Sequence, residues 1–179
     1  MNHFKESFNE HIRPAENGIP ESQFQLGYAY FNGLGVIKDQ ELAVSWWIKA
    51  AEQGHKLAMR SLAFAYGDGS GVDIDETESL KWSAQGAEMG DSYSQFIYGH
   101  ALFFGNNIPK DVDLGIDYIR KAALGGDKQA IKLSKQLAAH LKAVGSIPDP
   151  RLELPRKAGC LLCMIGSGIF GWFYCVVCL

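Results

Sequence analysis

The chain has 179 residues and a formal net charge of −3, enough length for one domain with an appendage and no basic surplus of the kind nucleic-acid binding requires. All four cysteines, Cys160, Cys163, Cys175 and Cys178, fall in the last 20 residues, which excludes a disulfide-stapled core in the rest of the chain. Met1 to Glu10 is polar and carries Lys5, Glu6 and Glu10 without an apolar run, so no secretory leader is expected.

The first predicted element, within residues 1–20, is a single helix that closes on Ala15-Glu16-Asn17-Gly18. The same ending returns as Ala51-Glu52-Gln53-Gly54, so residues 1–20 read as an N-terminal capping half-repeat. Pro14 stands where the later copy has Ala50 and predicts that this helix ends early or kinks.

From residue 21 the chain is periodic. Gly18, Gly54, Gly90 and Gly126 are each 36 residues apart, and Ala15, Ala51, Ala87 and Ala123 keep that step. Gly33, Gly69 and Gly105 share the register, as do Asp39, Asp75 and Asp111; Leu26, Leu62 and Tyr98; and Trp46, Trp82 and Tyr118. A fixed period over unrelated residue types is the mark of a repeat architecture.

Each unit reads as two helices. Phe24, Tyr28 and Phe31 stand at helical spacing, Gly33 and Gly35 break that helix, and Asp39 caps an amphipathic stretch through Trp46, Trp47 and Ile48. First helices are predicted near residues 21–32, 57–67 and 93–104, and second helices near 39–53, 75–89 and 111–125. The repeats thus run at about 21–56, 57–92 and 93–127, together residues 21–127. Gly27, Ala63 and Gly99, small residues inside first helices, predict close approach of a neighbouring helix. Trp46, Trp82 and Tyr118 are expected to fill the space between hairpins, and Trp47 to face the variable outer side. In the third loop Asn107 replaces the second glycine, so the loop is distorted or Asn107 is itself left-handed.

Residues 128–145 predict a capping helix near 129–142, whose Lys128, Lys132, Lys135 and Lys142 suit a face that no later repeat covers. Residues 146–157 read as a linker broken by Pro148, Pro150 and Pro155. Ala158 to Leu179 is a run of 22 residues without a charge, about 33 Å as a helix and enough to span a membrane core of about 30 Å. Arg151, Arg156 and Lys157 flank it on one side. The expectation is a single-pass membrane protein with its repeats in the cytoplasm. Gly159, Cys163, Ser167, Gly171 and Cys175 recur every four residues along the tail and resemble a helix-association face, possible for a homodimer. The plainer explanation is that small residues are common in such helices.

Catalytic and metal constellations are weak. Asp68 to Asp75 has the acids of a calcium loop but not its spacing, and a glycine loop with a helix cap explains it. His3, His11, His55, His100 and His140 include no pair four apart. The two C-x-x-C pairs lie in apolar sequence rather than on polar knuckles, and Ser167 has no histidine near it. No catalytic residue, metal or cofactor is expected.

The segment Ser22 to Gly54, with Leu26-Gly27, Tyr30, Gly33-Leu34-Gly35-Val36, Asp39 and Trp46 through Gly54, resembles the Sel1-like repeat, a relative of the tetratricopeptide repeat. The copies from Ala58 and Ser94 resemble it more loosely. The resemblance implies an all-α fold, an α/α solenoid of helical hairpins wound as a right-handed superhelix, here with a C-terminal transmembrane helix. It implies a non-enzymatic adaptor whose partners are proteins or peptides. Two rivals are a hydrolase of β-lactam compounds, described for some disulfide-rich secreted relatives, and a structural subunit of a membrane complex. In such hairpins the first helices line the concave face, which gives Phe24, Tyr28, Arg60, Phe64, Phe96, His100 and Phe104 as the candidate binding set. The alternative for Phe24, Phe64 and Phe96 is packing between repeats.

Overall fold

The computed structural model describes residues 2–143 and 150–152, and the tail residues Gly159, Cys163, Ser167, Gly171 and Cys175 lie outside them. Among the described residues eight α-helices follow one another: α1 (Asn2–Glu16), α2 (Pro20–Asn32), α3 (Gln40–Glu52), α4 (Lys56–Asp68), α5 (Glu76–Glu88), α6 (Ser92–Phe104), α7 (Val112–Leu124) and α8 (Lys128–Ala143). No strand occurs among the described residues. Each helix packs on the next in chain order, the neighbour-only connectivity of a solenoid. Among the described residues no helix is long and apolar enough to cross a membrane.

The boundaries follow from the periodic residues. Asp39, Asp75 and Asp111 accept hydrogen bonds from the first-turn amides of α3, α5 and α7. Pro20 starts α2 without a side-chain cap, whereas His55 Nδ1, Asp91 and Asp127 cap α4, α6 and α8. α1 does not end early at Pro14: it runs to Glu16, the register at which α3 ends with Glu52. A proline this close to the end forfeits only the bond back to Glu10, while its own carbonyl still accepts from the Ile19 amide at 3.0 Å.

The core is built of alanines, leucines and two indoles. Leu62 and Ala58 are fully buried, beside Ala50, Ala51, Ala63, Ala65, Trp47 and Trp82. A second cluster under the last repeat gathers Phe96, Ile119, Ala122, Ala123 and Ala130. Trp47 corrects the sequence-based assignment. It is 3% exposed, while Trp46 is half-buried with the Lys49 ammonium over its ring at 4.1 Å. Gly27 is the reason: a Cβ there would lie 2.5 Å from Trp47 Cδ1 and Nε1, so the missing side chain makes the slot that the indole fills. One period on, Ala63 fills that place and Ser83 replaces the indole.

The loops lock neighbouring repeats. A Cβ on Gly71, whose φ is 79°, would run into the backbone carbonyl of Gln40, and Gly35 stands likewise against Phe4. In the third loop Asn107 takes the left-handed conformation itself, with φ of 56°, and donates from its amide to Glu76. Gly71→Ala is therefore expected to cost about 1–3 kcal/mol of stability from strain and displacement together. Gly90→Ala, with φ of 80° but open space around it, should cost only the conformational part, about 1–2 kcal/mol. Equal chemical-denaturation midpoints for the two variants would contradict this loop packing.

Residues 150–152 lie inside the stretch read as a linker, yet they form a 3₁₀ turn docked on α7 and α8. Leu152 is buried, and Arg151 bonds Asp113 at 2.8 Å and Asp117 at 3.5 Å.

Candidate functional site

The expected binding residues all stand on α2, α4 and α6, where a four-residue step keeps them on one face. Their surroundings differ by repeat, and the next repeat's capping residue decides how. Phe24 is stacked on His55, ring centroids 4.8 Å apart, and the imidazole also meets Glu21 at 3.0 Å. Arg60 occupies the same register one repeat later and meets Asp91 instead, Nη1 to Oδ1 at 3.1 Å. Asp91 is 5% exposed and accepts as well from the Ser94 amide and hydroxyl. A buried carboxylate with three donors is well compensated. Phe96, the third in this register, turns inward at 8% exposure and joins the second core.

Exposure separates the set further. Tyr28, Phe64 and Phe104 are 48%, 45% and 48% exposed. Tyr28, Arg60 and Phe64 line one groove of about 730 Å³ with Lys56, Tyr93 and Asp127. Phe96 and His100 line a second recess of about 410 Å³ with Glu76, Asn107 and Gln129. Phe24 and Phe104 line neither. The continuous aromatic groove expected from spacing is thus two recesses, because Phe24 is taken up by His55 and Phe96 by the core. Packing between repeats describes Phe24 and Phe96, and not Phe64.

Sequence reasoning missed Lys56, Tyr93, Asp91 and Asp127. A signal existed: Asp91 and Asp127 each follow an exit glycine, Gly90 and Gly126, at the cap position of a first helix. Burial pushes the Tyr93 phenol above its ordinary value, with the nearby Arg60 opposing. Hydrogen bonds from Gln25 and His55 hold the Glu21 carboxyl below its ordinary value. Among the described residues no group of three or more His, Cys, Asp or Glu side chains is placed to hold a metal ion.

His100 sits between Phe96 at 5.9 Å and Phe104 at 4.5 Å, ring to ring. Burial lowers its proton affinity below the ordinary 6.5. A depressed imidazole means that the unfolded chain binds the extra proton first, so stability is full above pH 6.5 and falls as pH drops below it. His100→Gln should flatten that part of the stability–pH curve. An unchanged slope between wild type and variant would show that His100 does not carry it.

The Sel1 repeat model matches this chain three times, at residues 20–55, 56–91 and 92–127. A protective antigen of uropathogenic Escherichia coli with an SLR fold is similar at 32% identity and a TM-score of 0.70, over 76% of this chain and 30% of that one. A Sel1 repeat protein of Oxalobacter formigenes is similar at 28% identity and a TM-score of 0.72, over 83% of this chain and 60% of its own. The chain therefore spans less than two thirds of the length of either protein. No curated protein matches.

Proposed function

The chain belongs to the Sel1 repeat family, whose members generally mediate protein–protein interaction, and from that premise we propose that it is a non-enzymatic adaptor holding a partner protein against the groove of α2, α4 and α6. The observation that carries this is the groove around Tyr28, Arg60 and Phe64. It pairs exposed rings with a half-exposed arginine, the residue types that dominate binding hot spots. Arg60 is held in place by Asp91 through one nitrogen, so its guanidinium is pre-aimed and keeps donors for a partner carboxylate or carbonyl. Little side-chain entropy is then lost on binding.

The test is photo-crosslinking in cells with a photoreactive phenylalanine analogue at Tyr28 or Phe64, and at Lys49 or Lys121 on second helices. One partner band from the first pair and none from the second supports the groove. The opposite pattern moves the partner to the back of the solenoid.

The same proposal extends to location. Residues 158–179 carry no charge, and Arg156 and Lys157 precede them, the composition of a membrane-spanning segment with its basic flank in the cytoplasm. Full-length protein should pellet with membranes and resist alkaline carbonate, whereas a chain ending at residue 157 should not. Extraction of the full chain by carbonate would refute the tether. The small residues Gly159, Cys163, Ser167, Gly171 and Cys175 would then also lose their role in a dimer.

A further inference from the structure

We propose that the notch left by Gly67 is a subsite for an aromatic side chain of the partner, flanked by a Lys or Arg of the same segment; this rests on the groove being the partner-binding face. Among the three repeats, position 67 is the only one of its register without a ring. One period earlier stands Phe31, packed against Trp47 with ring centroids 5.1 Å apart. One period later stands Phe103, packed against the second core. Both are half-buried.

At Gly67 the ring is missing and its place is open. The backbone there is exposed, and a notch of about 260 Å³ is walled by Ala63, Phe64, Tyr93 and Ile97, with Asp68 and Ser79 at its polar side. An apolar cavity of about 150 Å³ already takes a benzene ring. Phe64 and Tyr93 line this notch and the larger groove alike, so a chain lying in the groove passes its mouth. The walls suit a ring: two aromatic faces invite edge or offset contact.

Charge fixes the neighbour. Asp68 lines the notch and accepts from the Ser70 hydroxyl at 2.7 Å. Behind it the loop brings Asp73, Asp75 and Glu76, all exposed. Lys81 is the one Lys or Arg between Arg60 and Lys110, and Glu78 already pairs it at 2.9 Å. Arg60, over the Tyr93 ring at 5.9 Å, is paired with Asp91, so Asp68 is the one charged group lining the notch, and it attracts the opposite sign. A segment with a ring and a basic residue side by side matches it, and one with a ring and an acid does not.

The experiment titrates the full-length protein, labelled at isoleucine methyls, with N-acetyl-Phe-Arg-amide, N-acetyl-Phe-Asp-amide and N-acetyl-Ala-Arg-amide. The Ile97 methyl should show a saturable ring-current shift with Phe-Arg, several-fold weaker apparent binding with Phe-Asp, and no shift with Ala-Arg. Asp68→Asn should erase the preference for Arg over Asp. Gly67→Phe supplies the ring that the other repeats carry and should abolish the shift while the melting temperature holds or rises. A Cβ at 67 would come 3.2 Å from Ser79 Oγ. If that variant misfolds, Gly67→Phe with Ser79→Ala replaces it, restoring the Phe and Ala of Phe31 and Ala43. No saturable shift at millimolar Phe-Arg, or the same shift in the filled variant, overturns the notch. The crosslinks from Tyr28 and Phe64 are read separately, so the groove stands or falls on its own result.

Discussion

Trp82→Ala is expected to cost about 3–5 kcal/mol of folding free energy, the range for large aromatic truncations in cores. Trp82 is 9% exposed and belongs to the cluster built on Leu62, Ala63 and Ala65. Against a total of about 5–15 kcal/mol for a typical domain, such a loss should lower the melting temperature by about 6–20 °C at this size. Trp47→Ala should fall in the same range, because its indole fills the slot over Gly27 and touches Phe31. Among the described residues neither indole N–H has a hydrogen-bond partner, and an unpaired buried donor opposes folding. Trp82→Phe and Trp47→Phe should therefore be far milder than the alanine changes. A Trp47→Ala protein that melts like wild type would restore that residue to the outer surface and break the packing described for the first repeat.

The element pattern was legible because identity in register is legible. Glycines, cap aspartates and core leucines 36 apart mark where helices start, stop and touch, and the observed helices begin and end within two residues of the expected ranges. The side-chain partners were not legible, because they stand at a different step. Phe24 with His55, Arg60 with Asp91, Gly71 with Gln40, and Asn107 with Glu76 are each 31 residues apart. These pairs share geometry and not residue type, so a search for repeated letters passes over them. Trp46 and Trp47 show a second reason. The period aligns Trp46 with Trp82, but the deeper slot in the first repeat is created by an absent atom at Gly27. The division of the groove has the same origin: Phe24 stacks on the cap His55, Arg60 pairs with the cap Asp91, and Phe96 joins the second core, none of which the common spacing shows.

Loss of Tyr28 and Arg60 together is expected to have the largest effect on partner binding. Tyr28 is 48% exposed, and removing its ring leaves the core untouched. Arg60→Ala leaves Asp91 with only the Ser94 amide and hydroxyl as donors, so some stability is lost. Helicity and melting must be followed beside binding for that reason. The control pair is Lys49→Ala with Lys121→Ala, cations that lie over Trp46 and Tyr118. The deciding measurement is the dissociation constant of the crosslinked partner for wild type, the groove pair and the control pair. With the groove as the binding face, the Tyr28 and Arg60 variant weakens binding at least tenfold, about 1.4 kcal/mol, at unchanged helicity, and the lysine pair binds as wild type does. Undiminished binding by the groove variant, with binding abolished in the lysine pair, would contradict it.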